Sequence, residues 1–305
     1  MSMMLLFLIL VSICFGKQET QQHMTVNQLH TSFGAEVSGG VDIGLGLTED
    51  EFAVLSVLLV RHKVLVVRSQ RNMSVEDLRS FTLRFGVLHV HLESASHYPG
   101  YTDVNVVSNI RNKDGNFIGL YGTHVENFHS DLSWAHVPTK VTVLKSVIRP
   151  NECGNTRFLD STAAYEALNS TMKQFLFGKR AAFCYLKTRK LESEVGLTAD
   201  EISSARNCAN HPVITTHPVT GMRNIYANPS HTSDILDVDQ AISDSVLTFL
   251  YEHTKSEAFQ YEHIWQDDDL VLWDNRQVHH AATSCPEEYP RMLIRATVLN
   301  EAAPE

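Results

Sequence analysis

Residues 273–280 read Trp-Asp-Asn-Arg-Gln-Val-His-His, and a His-Ser-Asp tripeptide stands far upstream at residues 129–131. Two histidines and one carboxylate, His129, Asp131 and His280, suit a non-haem Fe(II) oxygenase, because such a site keeps half of its octahedron open for cosubstrate and O₂. Side chains two apart in a strand project to the same side, so one metal ion can bind His129 and Asp131. The tripeptide alone is a weak signal, since 16 histidines among 305 residues produce many chance patterns. The surrounding sequence therefore decides what it means.

Residues 287–299, EEYPRMLIRATVL, are rich in apolar side chains and predict a strand. Because side chains alternate along a strand, Arg291 and Arg295 share one face and Met292 begins the other. At about 3.3 Å per residue the two arginines lie roughly 13 Å apart, far enough to bind two different anions if their face lines a barrel interior. A guanidinium suits that task, since its planar fork grips a carboxylate and stays charged. The alternative is an exposed strand face with two solvated arginines.

Several short motifs follow one another between about residue 25 and residue 300. They are residues 34–39 (GAEVSG), 84–86 (RFG), 128–131 (FHSD), 153–156 (CGNT), 163–168 (AAYEAL) and 273–276 (WDNR), with His280, Arg291 and Arg295. In this order and spacing the chain resembles the taurine dioxygenase family, the TauD/TfdA-type 2-oxoglutarate-dependent oxygenases. Single motifs are common in unrelated proteins, but the ordered set is specific.

The resemblance implies a role for each matched residue. His129, Asp131 and His280 would bind Fe(II), and Thr156 and Arg291 would bind the far carboxylate of 2-oxoglutarate. The cosubstrates would be 2-oxoglutarate and O₂, and the reaction would release succinate and CO₂ while it hydroxylates the primary substrate. Asp131 favours hydroxylation over halogenation, because related halogenases carry a small residue in its place.

The resemblance also indicates where the primary substrate binds. Arg295 and His91 match positions that hold its anionic group, and Trp134 is expected to flank the metal. Two positions depart from the taurine enzyme, which has a tyrosine at Ser94 and an asparagine at Val125. We therefore expect a small or medium-sized organic anion, a carboxylate or sulfonate, rather than taurine.

Other functions stay open at this stage. The family scaffold supports desaturation, cyclisation or isonitrile-type oxidation as well as hydroxylation, and similarity of fold does not choose among them. A catalytically inactive binding protein on the same barrel is a further alternative. His89 and His124 lie close in sequence to the expected substrate residues and are additional candidates for substrate contact.

The fold that the resemblance implies is α+β, a double-stranded β-helix (a cupin-like jelly roll) with packed helices. Local patterns agree with such a mixture. Thr48 opens a capping box, and Asp160 or Ser161 is expected to cap a later helix. The predicted elements are helices over residues 48–61, 74–85 and 160–175 and strands over residues 63–68 and 140–148.

The N-terminus predicts a secretory protein. Residues 1–16 are expected to form a signal peptide, because Met4–Phe15 is apolar but too short to span a bilayer. An uncleaved signal anchor that tethers the protein to a membrane is the alternative. Residues 17–305 would then form a single TauD/TfdA-like domain, a size that β-rich folds commonly reach.

Charge and cysteine usage narrow the partners and the compartment. The net charge of −10 and the lack of a basic run disfavour nucleic acid and anionic membranes as partners, while a homo-oligomer stays open. Sequons at Asn72 and Asn169 are compatible with a eukaryotic secretory pathway. The cysteines beyond the expected signal allow three pairings into two disulfides, and free buried thiols fit equally well. They are Cys153, Cys184, Cys208 and Cys285.

Overall fold

The structure, a computed structural model, describes residues 24–91, 94–121, 127–185 and 208–305. The expected signal peptide (residues 1–16), His124 and Val125 lie outside the described residues. Across these four ranges, no helix is long and apolar enough to cross a membrane.

Strands dominate the described chain, with a few helices between them. The strands are β1 (Thr25–Gln28), β2 (Ala35–Ser38), β3 (Val64–Val67), β4 (Val104–Ser108), β5 (Leu120–Tyr121), β6 (Thr139–Ile148), β7 (Thr156–Asp160), β8 (Arg180–Cys184), β9 (Cys208–Pro212), β10 (Ile214–Thr216), β11 (Arg223–Ile225), β12 (Thr232–Ile235), β13 (Gln260–His263), β14 (Leu270–Asp274), β15 (Val278–Ala282) and β16 (Met292–Leu299). The helices are α1 (Glu49–His62), α2 (Val75–Leu83), α3 (Ser161–Glu166), α4 (Ser170–Leu176) and α5 (Gln240–Thr254).

The largest sheet has eight strands in the order β1-β2-β3-β14-β6-β16-β4-β5. Strand β16 pairs antiparallel with both β6 and β4, so the strand that carries Arg295 lies inside the sheet, and Arg291 stands just before its first residue. Helices α1 and α2 cover one face, where Leu55 and Leu78 share a core with Ile294 and Ala296. Burial of each large aliphatic side chain stabilises the fold by about 1.5–3 kcal/mol. This helix-covered face is therefore closed to ligands.

A smaller sheet, in the order β13-β7-β15, packs against the opposite face. Phe158 and Val278 of this sheet share a core with Trp273 and Leu293 of the larger one. Leu293 and Ile294 thus lie in different cores, which confirms the predicted alternation along the last strand. The residues that face the smaller sheet are the ones available to form a site.

A third group of elements builds a separate core. Strands β12-β8-β9 form one sheet and β10-β11 a hairpin, and helices α3, α4 and α5 pack with them around Phe183, Ile225 and Leu247. Cys184 and Cys208 face each other across β8 and β9 and form a disulfide. The second disulfide joins Cys153 to Cys285. The structure therefore has one of the three pairings that the sequence allowed.

Helix α1 confirms the predicted capping box. The Thr48 side chain accepts a hydrogen bond from the Glu51 backbone, and the Glu51 carboxylate accepts one from the Thr48 backbone N–H at 2.8 Å. Two of the first backbone donors of the helix are satisfied in this way. Helix α2 begins with the same motif at Ser74 and Asp77.

The single helix predicted from Asp160 to Phe175 is wrong. The structure has two helices, α3 and α4, with a break before Asn169. The Asn169 side chain accepts a 2.8 Å hydrogen bond from the backbone of Met172 and so starts a new helix. Asparagine is among the preferred N-cap residues, and here this local preference interrupts the apolar periodicity that continues on both sides.

The last strand also begins later than predicted, at Met292 instead of residue 287. Pro290 has no N–H for a strand ladder, which accounts for the late start. The carbonyl groups of the preceding loop are instead satisfied by one side chain. Asn109 Nδ2 donates to the carbonyl oxygens of Cys285, Pro286 and Tyr289 at 3.0–3.2 Å.

Candidate metal and cosubstrate site

The two histidines of the opening motif meet at the outer edge of β15. His129 and His280 exchange backbone hydrogen bonds of 3.0 and 2.8 Å, and they form an isolated β-bridge. Asp131 lies in the turn that follows, so the expected strand from His129 to Asp131 is reduced to one bridge residue. The turn is tight, with Leu132 at φ 52°. The side chains of His129 and Asp131 still converge, because the turn directs the Asp131 carboxylate toward the two imidazole rings.

The three side chains form a compact set of donors. Oδ1 of Asp131 lies 3.9 Å from Nε2 of His129 and 3.8 Å from Nε2 of His280. The possible ligand atoms all lie within 4.8 Å of one another, and each residue is at most 7% exposed. Two imidazoles and one carboxylate on one side of an ion are the donor set that Fe(II) oxygenases use. The residues present therefore fit an Fe(II) ion.

The protonation states suit a metal site. Burial, chiefly, lowers the pKa of His280 to about 3, so its ring is neutral at pH 7. Nδ1 of His129 lies 2.9 Å from the Asn127 carbonyl oxygen, and it must donate there, which leaves Nε2 as the lone-pair atom. Burial acts to raise the pKa of Asp131, but neighbouring side chains bring it well below its ordinary value. The neighbours are His280, Arg295, His129 and Thr142.

A hydrogen-bond chain fixes the carboxylate. Thr142 Oγ1 donates to Oδ2 of Asp131 at 2.6 Å, and Asn275 Nδ2 donates to Thr142 Oγ1 at 2.9 Å. Asn275 Oδ1 also accepts from the Asp131 backbone and from Nε1 of Trp273, both at 3.1 Å. Oδ1 of Asp131 is thereby left to face the histidines. No motif in the sequence indicates the role of Thr142, whereas Asn275 belongs to the WDNR motif.

A cavity lies between the two sheets beside this triad. Thr156 and His280 come from the smaller sheet, and Arg291 and Arg295 lie on the opposite wall. Thr156 is 3% exposed, and its Oγ1 accepts a 3.2 Å hydrogen bond from Trp265 Nε1. Further lining residues are Val107, Leu144, Trp273 and Ala282. The cavity therefore combines an apolar wall with two cations and one hydroxyl.

The two arginines are positioned differently. Arg291 Nε donates to the Gly154 carbonyl oxygen at 2.9 Å. Arg295 lies next to the triad, with Nη1 3.5 Å from Oδ1 of Asp131. Arg291 and Arg295 are 7% and 6% exposed, which contradicts the alternative of an exposed, solvated strand face.

Of the other predicted substrate residues, neither His91 nor Trp134 is among the residues that line this cavity. His91 and His89 are neighbours, with ring centroids 5.8 Å apart. Burial first, then His91 and Arg295, lower the pKa of His89 to about 4, so His89 is a neutral ring close to Arg295. Trp134 packs on Tyr185, with ring centroids 4.8 Å apart, and contacts the separate core around β8. Its expected place beside the metal stays a prediction.

One residue near the metal site was missed from the sequence. The His231 ring stands edge-on to His129, with centroids 5.7 Å apart. Its Nδ1 lies 2.9 Å from Ser133 Oγ. His231 follows a loop with no motif of its own, so only the folded chain brings it to the triad.

Known proteins resemble the chain in sequence and in structure. Residues 25–297 match the family described as Taurine catabolism dioxygenase TauD, TfdA family. The alpha-ketoglutarate-dependent 2,4-dichlorophenoxyacetate dioxygenase of Cupriavidus pinatubonensis is 29% identical over 92% of this chain and 99% of that protein. Pentalenolactone F synthase of Streptomyces arenae is 31% identical over 81% of this chain and 84% of that protein. A solved taurine dioxygenase from Burkholderia xenovorans has a TM-score of 0.76 at 25% identity, covering 91% of this chain and 90% of that chain.

The family match and the geometry of the site agree. The matched region includes the triad and both arginines of the cavity. The buried His-Asp-His cluster provides the donor set that the family's iron requires. The chain therefore belongs to the TauD/TfdA family and is an Fe(II)- and 2-oxoglutarate-dependent dioxygenase.

Proposed function

We propose that this dioxygenase oxidises a small organic anion, a carboxylate or sulfonate, that Arg295 holds beside the iron. The observation that carries the proposal is the position of Arg295, buried in the cavity wall 3.5 Å from Asp131 Oδ1. Both histidine Nε2 atoms face that same oxygen. An ion bound there takes over much of the carboxylate's charge, so the guanidinium can bind an anion in the cavity.

The names of the relatives support an anionic substrate. 2,4-Dichlorophenoxyacetate is a carboxylate, and taurine carries a sulfonate. Taurine itself is not proposed, because Ser94 replaces a polar contact of the taurine enzyme and lies exposed in the structure. We propose that His89 and His91 contact the substrate from the side of Arg295, because their ring centroids are 5.8 Å apart and Arg295 contributes to the lowered pKa of His89.

We assign the metal to His129, Asp131 and His280. When bound, Fe(II) activates O₂ for the oxidative decarboxylation of 2-oxoglutarate to succinate and CO₂, coupled to oxidation of the substrate. Thr142 keeps Asp131 ionised and aimed at the histidines. The Asn127 carbonyl keeps the proton of His129 on Nδ1, away from the metal side.

We assign the far carboxylate of 2-oxoglutarate to Thr156 and Arg291. Both line the cavity that His280 also borders, and both are almost fully buried. Burial strengthens a charge-assisted hydrogen bond, because little water competes for the carboxylate. The Gly154 carbonyl orients the guanidinium from behind.

Hydroxylation is the proposed outcome, since Asp131 keeps the third protein ligand on the metal. A synthase reaction such as desaturation or ring formation is the second candidate, and the 31% identical relative named as a synthase favours it. Product mass spectrometry distinguishes the two, because hydroxylation adds one oxygen atom and desaturation removes two hydrogens.

We further propose that the two facing sheets form a double-stranded β-helix within one domain over residues 17–305, and that the protein enters the secretory pathway. The shared core of the larger sheet and β13-β7-β15 supports the fold. The apolar segment Met4–Phe15 and the two disulfides support the location, because disulfides persist in oxidising compartments. Membrane tethering by an uncleaved anchor and a homo-oligomer remain predictions.

Succinate release across a panel of carboxylates, sulfonates and neutral compounds of similar size tests the substrate class. We expect turnover of anions only, and a kcat/KM lowered by about 10- to 100-fold in Arg295→Ala, since hydrogen bonds to charged groups are lost. Arg71→Ala is the matched control, because the Arg71 side chain is 81% exposed and is not among the residues that line the cavity. Equal turnover of neutral and anionic compounds would refute the proposal.

A further inference from the structure

The loop that precedes β7 packs directly on Arg291. The Gly154 carbonyl oxygen accepts the Arg291 Nε hydrogen bond, and a Cβ at Gly154 would lie only 2.5 Å from Arg291 Cδ. Gly154 also has φ 74°, a left-handed conformation that favours glycine. The orientation of the guanidinium is therefore set by a backbone group that approaches it closely.

A disulfide ties this loop to the segment after β15. Cys153, the residue before Gly154, is bonded to Cys285, with Cα atoms 5.1 Å apart. Cys285 is 3% exposed, and a Cβ at Gly154 would lie 3.4 Å from the Cβ of Cys285. Gly154 N also donates to the Ser284 carbonyl oxygen at 3.3 Å. The disulfide, the glycine and the arginine thus form one packed unit.

Asn109 forms hydrogen bonds with both Arg291 and Cys285. Its Oδ1 accepts from the Arg291 backbone at 2.8 Å, and its Nδ2 donates to the Cys285 carbonyl oxygen at 3.2 Å. Arg291 and Cys285 therefore belong to the same hydrogen-bonded frame. The Cys153–Cys285 bond links that frame covalently to the carbonyl group that faces the guanidinium.

The second disulfide has a different setting. Cys184 and Cys208 link two strands that are already paired in register, in a sheet that does not contain Arg291. Removing this bond leaves the protein with one disulfide, just as removing the Cys153–Cys285 bond does. It leaves the contact between Gly154 and Arg291 untouched, so it provides a matched control.

We propose that the Cys153–Cys285 disulfide is a positioning element of the 2-oxoglutarate site, which holds the Gly154 carbonyl against Arg291 and so orients the guanidinium. This inference rests on the proposed role of Arg291 in binding the far carboxylate. A guanidinium that is oriented in advance loses less freedom when a carboxylate binds, so affinity depends on the frame around it.

An anaerobic titration of the Fe(II)-loaded protein with 2-oxoglutarate, followed by the visible charge-transfer band of the chelate, measures the relevant Kd. We expect a paired Cys153→Ser and Cys285→Ser variant to raise that Kd by about tenfold or more, the effect of one lost hydrogen bond to a charged group. The paired Cys184→Ser and Cys208→Ser variant should keep the wild-type Kd. Fe(II) binding without 2-oxoglutarate should be unchanged in both. A wild-type Kd in the folded Cys153→Ser, Cys285→Ser protein overturns the inference.

Gly154→Ala tests the contact between Gly154 and Arg291 with the disulfide intact. This variant replaces the first test if the Cys153→Ser, Cys285→Ser protein does not fold. The added methyl group displaces Arg291, so the Kd should again rise, and an unchanged Kd contradicts the inference. Failure of the underlying assignment looks different. In that case the wild-type protein forms no band, or Arg291→Ala binds 2-oxoglutarate as tightly as the wild type does.

Discussion

Thr142 Oγ1 donates a 2.6 Å hydrogen bond to Oδ2 of Asp131, the carboxylate whose other oxygen faces both histidines. The threonine hydroxyl has one hydrogen, and Asn275 Nδ2 donates to it from behind. The direction of both hydrogen bonds is therefore fixed: Asn275 donates to Thr142, and Thr142 donates to Asp131. Such outer partners orient a metal ligand and hold it in its charged state.

Thr142→Val should lower the affinity for Fe(II) by about 10- to 100-fold, the usual effect of removing an outer partner of a ligand. Valine keeps the shape of the side chain but cannot donate to Asp131, so the carboxylate loses its orientation. Thr142→Ser keeps the hydroxyl and should bind Fe(II) nearly as the wild type does. Anaerobic calorimetric titration with Fe(II) measures both. Wild-type affinity in the valine variant would show that the hydrogen bond does not matter for the metal.

Lys63→Met should destabilise the protein by about 3–5 kcal/mol, because it leaves the Asp160 carboxylate buried without its cation. Lys63 Nζ lies 2.6 Å from Asp160 Oδ1, and the Asp160 side chain is fully buried. The same oxygen caps α3 by accepting from the Thr162 and Ala163 backbones. Urea unfolding measures the free energy of unfolding.

Two further variants check the cause of that loss. Lys255→Met removes an exposed pair with Glu252 and should change the free energy of unfolding by less than about 1 kcal/mol. Adding Asp160→Asn to Lys63→Met should recover part of the stability, since asparagine removes the buried charge and still accepts the helix hydrogen bonds. A double variant no more stable than Lys63→Met would argue against an unpaired charge as the cause.

His211 should make the metal-free protein sensitive to mild acid. Burial lowers its pKa below the ordinary value, and Arg180 and His136 lower it further, against the hydrogen bond that Nε2 donates to the Ala135 carbonyl oxygen. An unfolded histidine takes up a proton near pH 6.5, before the folded one does. The free energy of unfolding therefore falls as the pH drops below about 6.5 toward the lowered pKa of the folded state.

His211→Gln keeps a donor toward Ala135 but cannot titrate. Its free energy of unfolding should depend less steeply on pH between 7.5 and 5.5 than that of the wild type, in urea unfolding of the metal-free protein. Equal slopes for the two proteins would mean that His211 does not contribute to the acid sensitivity.

The sequence was sufficient for the parts of the site that depend on local order. Strand alternation separated Arg295 from Ile294, and the HxD motif with His280 identified the clustered donors. These predictions succeed because the alternation of side chains along a strand and the spacing of a motif can both be identified in the linear sequence. Thr142 and His231 could not be found in the same way, since one is an ordinary strand residue and the other reaches the triad only through the fold.

The correction to the predicted helix has a local cause, whereas the disulfide pairing depends on the fold. The helix predicted through Phe175 failed because Asn169 competes with the helix by capping a new one. The disulfide partner of Cys153 was not predictable, because Cys285 becomes its neighbour only when the segments before β7 and after β15 pack together.

A crystal structure of the protein with Mn(II), as a redox-inert substitute for Fe(II), and 2-oxoglutarate would show where both ligands bind. We expect the metal to be bound by His129, Asp131 and His280. We expect the far carboxylate of 2-oxoglutarate on Thr156 and Arg291, with Arg295 facing the remaining part of the cavity. A metal bound elsewhere, or a cosubstrate whose far carboxylate lies on Arg295, would show that this assignment of the site is wrong.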